Sequence, residues 1–291
     1  MSVELNTYYP EDFHVQDLEM VQAKIGTIAL AGPDLLEARL DFDRTMTTNG
    51  PKDVTSWDVL GDLLPPWAQN VDQKMYKYYQ PRELAHTLTI PEAEEWWNNT
   101  LQLYVDSMVN IHRIEDAAGS ISLRPATKDF FDTCRDGDIH TTILSAGIKE
   151  VIEVVNKHEG IQPNFVMSNS LESDPQTGII TGWDRDKVIH ILNKGERGSP
   201  QLADIRQRRP NTIIIGDAIE DTSMADDHES GTVLRVRVGD PHKIHPSKIG
   251  EYMEESFMAG YDMVRLGDFR PIDKLARFVT ITSTLEGAVV S

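Results

Sequence analysis

Leu40-Asp41-Phe42-Asp43-Arg44-Thr45-Met46-Thr47 decides how the rest of the chain is read. The run from Leu35 to Leu40, apolar except for Glu37 and Arg39, predicts a short strand leading into it. Asp41 and Asp43 then project from the strand's carboxyl end, where open α/β sheets hold their ligands. Two carboxylates one residue apart, beside the hydroxyls of Thr45 and Thr47, can bind a hard cation and leave one carboxylate to act as nucleophile. Alone, the same residues also describe an ordinary strand ending in an acidic turn.

Downstream partners separate the two readings. Thr141–Ser145 predicts a second strand, and Ala146-Gly147 opens a predicted helix with apolar residues at Ile148, Val151, Ile152 and Val155. Ser145 is thereby expected at a helix N-terminus, whose free N–H groups suit a phosphate. Asn211–Ile215 predicts a third buried strand, and Gly216-Asp217-Ala218-Ile219-Glu220-Asp221 delivers Asp217 to the same sheet edge as Asp41. Between them Lys194 precedes Gly195. Alone, Asp217 and Asp221 read as a helix N-cap with a first-turn acid, and Lys194 as a surface residue.

D-F-D-x-T-x-T, L-S-A-G, N-K-G and G-D-x-x-x-D, in this order, resemble the four signature motifs of the haloacid dehalogenase superfamily of aspartate-nucleophile phosphatases. Gly32-Pro33-Asp34, Glu95-Trp96-Trp97, Ser168-Asn169 with Thr177-Gly178, and Ile189–Lys194 resemble more closely the cytosolic pyrimidine 5′-nucleotidase family, from about Val15 to about Asp273.

The resemblance implies a Rossmann-like α/β core with a parallel sheet, residues 1–49 and 123–291, and a helical cap at residues 50–122. The texture of the chain agrees: Gly50-Pro51 breaks the pattern, and the following stretch carries Trp57, Trp67, Trp96 and Trp97, four of the five tryptophans. A gap of that length between core segments needs structure of its own. Thr89-x-x-Glu92, with Pro91, reads as a capping box opening a helix through Trp97 and Tyr104.

The resemblance further implies a Mg²⁺-dependent nucleotide phosphatase. Asp41 is then the nucleophile and Asp43 the acid and base. Asp41, the Asp43 carbonyl, Asp217 and Asp221 hold the metal, and Ser145, Ala146 and Lys194 hold the phosphoryl oxygens. Glu95, Trp96 and Trp97 are the candidates for the base, through hydrogen bonds and stacking; the alternative is a solvated Glu and core tryptophans. The substrate is expected to be a nucleoside monophosphate, CMP or UMP first. The rival is 7-methylguanosine monophosphate, whose cationic base favours an aromatic stack. Transfer to a nucleoside acceptor and non-catalytic nucleotide binding are further alternatives. Arg44 and Met46 stand where these nucleotidases usually carry apolar residues, and Glu220 where a glycine is common.

Composition narrows the classes. With 28 basic against 47 acidic residues, the net charge of −19 argues against a nucleic-acid polymer as partner. The absence of a long apolar run or a basic-then-apolar start predicts a soluble protein without a secretory signal, away from membranes. Cys134, the single cysteine, reads as a packing residue and fits a cytoplasmic setting. The nine histidines, His190, His242 and His245 among them, show no metal-ligand spacing. Met1–Asp12 is expected to be a loosely held arm.

Overall fold

A computed structural model describes residues 8–50, 53–195, 199–225 and 231–290, with side chains through 282. In chain order the elements are β1 (His14–Val15), α1 (Leu18–Ala31), β2 (Leu36–Leu40), α2 (Ser56–Leu63), α3 (Pro66–Leu84), α4 (Ile90–Asp106), α5 (Ile114–Ala117), α6 (Thr127–Asp136), β3 (His140–Ile148), α7 (Lys149–Glu159), β4 (Phe165–Asn169), β5 (Leu171–Ser173), β6 (Ile180–Trp183), α8 (Pro200–Arg208), β7 (Asn211–Gly216), β8 (Val233–Gly239), α9 (Ile249–Met258), β9 (Met263–Leu266) and α10 (Arg270–Val290).

One seven-stranded sheet runs β1-β9-β8-β7-β2-β3-β4. Every pair in it is parallel except the edge pair β1–β9. The chain builds β2, β3 and β4 outward on one side, then returns to lay β7 against the other side of β2. Strand order therefore reverses at β2, and in such sheets the crevice beyond the strand ends at the reversal takes the ligand. Leu40 is in register with Ile143 of β3 and with Ile215 of β7, so three strand ends open into that crevice together.

Local chemistry explains the elements around it. The Asp17 carboxylate caps α1 by accepting from the Met20 N–H at 2.9 Å, and Val21, Ile25, Ile28 and Ala29 form its buried stripe. Gly32 ends it at φ 95°, a conformation that a side chain would strain. In β2 all five residues are buried, including Glu37 and Arg39. Their alternation puts both on one face, where Arg39 Nη2 donates to Glu37 Oε2 at 2.7 Å and the guanidinium also reaches the Met224 carbonyl. Removing one partner alone would strand a buried charge.

Thr47 bridges Leu123, and between them the described residues form helices and turns without a strand. Thr55-x-x-Asp58 and Thr89-x-x-Glu92 close reciprocal capping boxes on α2 and α4. The small β5–β6 hairpin leans on α4, where Trp183 Nε1 donates to Asn98 Oδ1 at 3.0 Å.

Two expectations change. The second strand extends to Ile148, and α7 starts only at Lys149, so Ser145 lies inside the strand rather than at a helix N-terminus. Pairing with β4 shifts register between Leu144 and Ile148, and that irregularity carries the strand past Ser145. Of the expected N-terminal arm, residues 1–7 lie outside the described residues; of the rest, the Tyr8 ring lies 5.2 Å from that of Phe278 and Pro10 is buried, while Tyr9, Glu11 and Asp12 are exposed. Pro51 of the expected break is also outside the described residues. Cys134 is fully buried in α6. No helix among the described residues is long and apolar enough to cross a membrane.

Candidate active site

Asp41 follows β2 directly and extends its ladder, its N–H donating to the Ile215 carbonyl at 3.0 Å. The next residues turn sharply. Arg44 sits at φ 66°, and its N–H donates to Thr47 Oγ1 at 2.6 Å, locking the turn. Arg124, 3 % exposed, spans this loop and its neighbours. It donates to the carbonyls of Thr45 at 2.9 Å, of Arg44 at 2.7 Å, of Gly267 at 2.7 Å and of Gly239 at 3.4 Å. A planar fork with five donors suits such a clamp on carbonyls.

Asp41, Asp217 and Asp221 converge, each offering a carboxylate oxygen within 4.8 Å of the others. The Thr45 hydroxyl lies between two of them, 3.3 Å from Asp41 Oδ2 and 3.1 Å from Asp217 Oδ1. Lys194 Nζ donates to Asp41 Oδ1 at 2.7 Å and to Asp221 Oδ1 at 2.6 Å, in a pocket that leaves it 5 % exposed. Asp221 spends its second oxygen on the N–H groups of Asp217 and Ala218, at 3.1 and 3.0 Å, and so orders the turn carrying Asp217. Its capping and clustering roles coexist.

Burial raises the Asp41 carboxyl above the usual range; Lys194 opposes this and Asp221 adds to it. Burial likewise lifts Asp217 to about 7, with the Asp221 and Asp41 charges adding to the shift. For Lys194 burial works downward, but Asp221 and Asp41 outweigh it and hold the ammonium above its ordinary value. A trio of carboxylates, two of them buried and Asp217 partly so, with a single lysine between them carries excess negative charge. Three oxygens this close are the donor set of a hard divalent cation, so these residues fit Mg²⁺.

Asp43 stands apart from that trio. Both of its oxygens are held by Ser56, Oδ1 by the backbone N–H at 2.7 Å and Oδ2 by the hydroxyl at 2.5 Å. Burial pushes its carboxyl up to about 6; the Ser56 bonds restrain the shift and the Asp41 charge increases it. The Ser56 hydroxyl in turn accepts from the Ile148 N–H at 3.1 Å, which ties α2 to the end of β3. Gly147 makes room for this arrangement: a Cβ there would collide with Ser56 Oγ and lie 2.8 Å from Asp43 Oδ2.

Ser145 Oγ accepts from the Gly147 N–H at 3.1 Å, and the Ala146 carbonyl is fixed by Asn169 Nδ2 at 2.7 Å and Trp97 Nε1 at 3.3 Å. A cavity of about 470 Å³ joins Ser145, Ala146 and Lys194 to the four aspartates, and Trp57, Trp96, Trp97 and Tyr104 form its aromatic wall. The structure does not bring Glu95 to that lining. It is exposed, beside Tyr79, because it precedes Trp96 by one position on α4 and neighbouring positions point about 100° apart. Trp96 is stacked on Tyr79 at 5.4 Å, and the buried Trp97 meets Trp57 edge-on at 6.1 Å. Cavity and core uses of the two tryptophans therefore overlap.

Ser56 and Arg124 were not among the residues singled out from the sequence. A signal for Ser56 existed, since Thr55-x-x-Asp58 is a capping box that sets Ser56 at the first helical position. For Arg124 there was none, because its partners are backbone carbonyls of three separate loops.

The family model described as pyrimidine 5′-nucleotidase (UMPH-1) matches residues 42–278. The 7-methylguanosine phosphate-specific 5′-nucleotidase A of Xenopus laevis is 26% identical over 283 residues, covering 91% of this chain and 95% of that protein. The 7-methylguanosine phosphate-specific 5′-nucleotidase of Homo sapiens is 25% identical over 285 residues, covering 91% and 90%. In fold the chain is similar to cytosolic 5′-nucleotidase IIIB bound to cytidine, with a TM-score of 0.76, 21% identity, and 94% and 96% of the two chains covered.

Proposed function

The chain belongs to the pyrimidine 5′-nucleotidase family, with a haloacid dehalogenase-type fold and phosphoric monoester hydrolase activity, and from that premise we propose the substrate and the role of each residue. The substrate is a nucleoside 5′-monophosphate, and residues 50–122 form a helical cap over the core made by residues 1–49 and 123–291. The observation that carries this reading is the cluster in which Asp41 and Asp217, at adjoining strand ends, meet the buried Asp221 and Lys194, with Asp43 held by Ser56 alongside.

A carboxylate oxygen of Asp41 attacks phosphorus, the P–O5′ bond breaks, and Asp43 delivers its proton to the departing 5′ oxygen. Asp43, now ionised, takes a proton from the water that attacks the aspartyl-phosphate. Phosphate leaves and Asp41 is restored. Ser145, Ala146 and Lys194 bind the phosphoryl oxygens and offset their charge. Asp41, Asp217, Asp221 and the Asp43 carbonyl would hold Mg²⁺, which when bound would supply positive charge to offset the repulsion between an anionic nucleophile and an anionic phosphoryl group. A carboxyl raised to about 6 is suited to giving and taking a proton near neutral pH.

For the base, the names of the relatives match 7-methylguanosine monophosphate rather than the CMP or UMP expected first. The cavity supports the same choice. Its aromatic wall is accompanied by Asp58, Asp62 and Asp72, and burial together with the Asp58 charge raises the Asp72 carboxyl above its usual range. An acidic, aromatic chamber favours a base carrying positive charge over a neutral pyrimidine.

The test is phosphate release from CMP, UMP, dCMP, AMP, GMP and 7-methyl-GMP, each with Mg²⁺ and with EDTA. Mg²⁺-dependent release with 7-methyl-GMP preferred is the expected result. Equal release from every phosphomonoester would remove the nucleotide reading and leave the phosphatase chemistry.

A further inference from the structure

Arg44 and Glu220, the two charged departures from the family resemblance, meet the same part of the helical segment. Arg44 rises from the turn after β2 and lines the cavity together with Asp217, Glu83 and Tyr76. Glu83 and Tyr76 belong to α3, Asp217 to the carboxylate trio. Burial alone would lower the pKa of the Arg44 guanidinium, but Asp217, Glu83, Asp43 and Tyr76 outweigh it and hold it up. Glu83 sits between opposite influences: burial raises its carboxyl, Arg44 lowers it, and Glu220 raises it.

Glu220, in the turn after β7, lies 2.9 Å from Nδ1 of His86, two residues beyond the end of α3. The Nε2 atom of His86 lies 3.7 Å from Glu255 on α9. His86 itself sits at φ 51°, so the chain turns there in a strained conformation while its ring reaches two core elements. Among the described residues, these two carboxylate contacts of His86 join the turn after α3 to the core, and they are ion pairs when its ring is protonated. Elsewhere the segment meets the core through the Lys157–Glu115 pair between α7 and α5 and through the Trp97–Ala146 and Asn98–Trp183 hydrogen bonds of α4.

We propose that Arg44 and Glu220 are positioning residues that seat the end of α3 over the carboxylate trio, Arg44 through Glu83 and Glu220 through His86. The inference deepens the proposed reaction and rests on it for its kinetic consequence, while the seating itself is independent of turnover. Held this way, α3 brings Asp72, Tyr76 and Lys77 to the cavity wall, so the binding surface for the nucleoside depends on charges supplied by the catalytic loops. Seating contacts act on substrate affinity first, because they assemble the wall before any bond is broken.

The test uses the full chain with nitroxides at Leu84→Cys on α3 and Leu30→Cys on α1, both exposed in the native protein; Cys134 is buried and stays unlabelled. Pulsed dipolar spectroscopy is expected to give one narrow distance distribution in the parent, and a broader, longer one in Arg44→Met, Glu83→Gln and Glu220→Gln. Glu220→Gln is expected to raise KM for the preferred nucleotide roughly threefold to tenfold, with a smaller change in kcat. The Arg44→Met/Glu83→Gln double variant should be about as impaired as the worse single one, because both remove the same charge–charge attraction across the cavity. Unchanged distance distributions in all three variants, or independent multiplicative effects of Arg44→Met and Glu83→Gln, would overturn the proposal. A shifted distribution in a protein that hydrolyses no nucleotide would overturn the proposed reaction and leave the seating standing.

Discussion

Ser56→Ala isolates the control exerted on Asp43. The backbone N–H bond to Oδ1 survives the substitution, and the hydroxyl bond to Oδ2 is lost. A hydrogen bond to a charged group is worth about 1.5–3 kcal/mol, and 1.36 kcal/mol corresponds to one pKa unit. Asp43 should therefore move from about 6 to roughly 7–8, since the lost bond favoured the ionised form. As Asp43 must be protonated to release the 5′ oxygen, the alkaline limb of kcat/KM should shift upward by about one to two units. The assay is phosphate release against pH at saturating Mg²⁺, parent and variant side by side, so that the substrate's own ionisation cancels in the difference. The variant also strands the Ile148 N–H, and its Tm should fall by a few degrees. An alkaline limb that does not move, in a variant that folds, would refute the assignment of Asp43 as the acid.

Asp41→Asn should keep its far-UV circular dichroism and lower kcat by at least about a thousandfold, measured with enough enzyme to detect one turnover. Asp43 and Asp217 are raised to about 6 and about 7, above an unfolded value near ~3.9, so their contribution to stability is full below pH ~3.9 and lost as pH rises through those values. Without divalent cation, Tm should accordingly fall between pH 4 and 7, and Mg²⁺ should restore more of it at pH 7 than at pH 5, as thermal melts would record. Arg124→Met removes hydrogen bonds to four carbonyls and should cost about 3–5 kcal/mol, read as a loss of denaturant midpoint together with reduced kcat.

The sheet was legible because buried parallel strands announce themselves as short apolar runs, and the functional carboxylates follow those runs directly. Asp41 after β2 and Asp217 after β7 needed no knowledge of loops to be placed on one edge. Where the reading slipped, two structures shared one pattern. Ile148 is apolar and suits both the last position of a strand and the first of the helix through Val151 and Val155, so the sequence alone could not choose between them. Glu95 was legible as part of a helix but not in its direction, which depends on how α4 is rotated against Tyr79 and the core. The buried Glu37–Arg39 pair was read only as an interruption of an apolar strand; the reason it is tolerated, mutual pairing on one face of β2, lies in three dimensions. Arg124 was invisible because carbonyl acceptors have no sequence signature.

The segment from Thr48 to Ser122 begins and ends on touching backbones, with Thr48 N–H to the Ser122 carbonyl at 2.8 Å and Arg124 N–H to the Met46 carbonyl at 2.8 Å. A detour whose ends already meet adds loop-closure entropy only slowly with length, about 0.6 kcal/mol for each doubling. Closure of the catalytic loop thus depends little on the length of the segment between those ends. Length can therefore be gained or lost beyond α2 at little entropic cost, whereas α2 itself is bound to the chemistry, because its Ser56 holds both oxygens of Asp43.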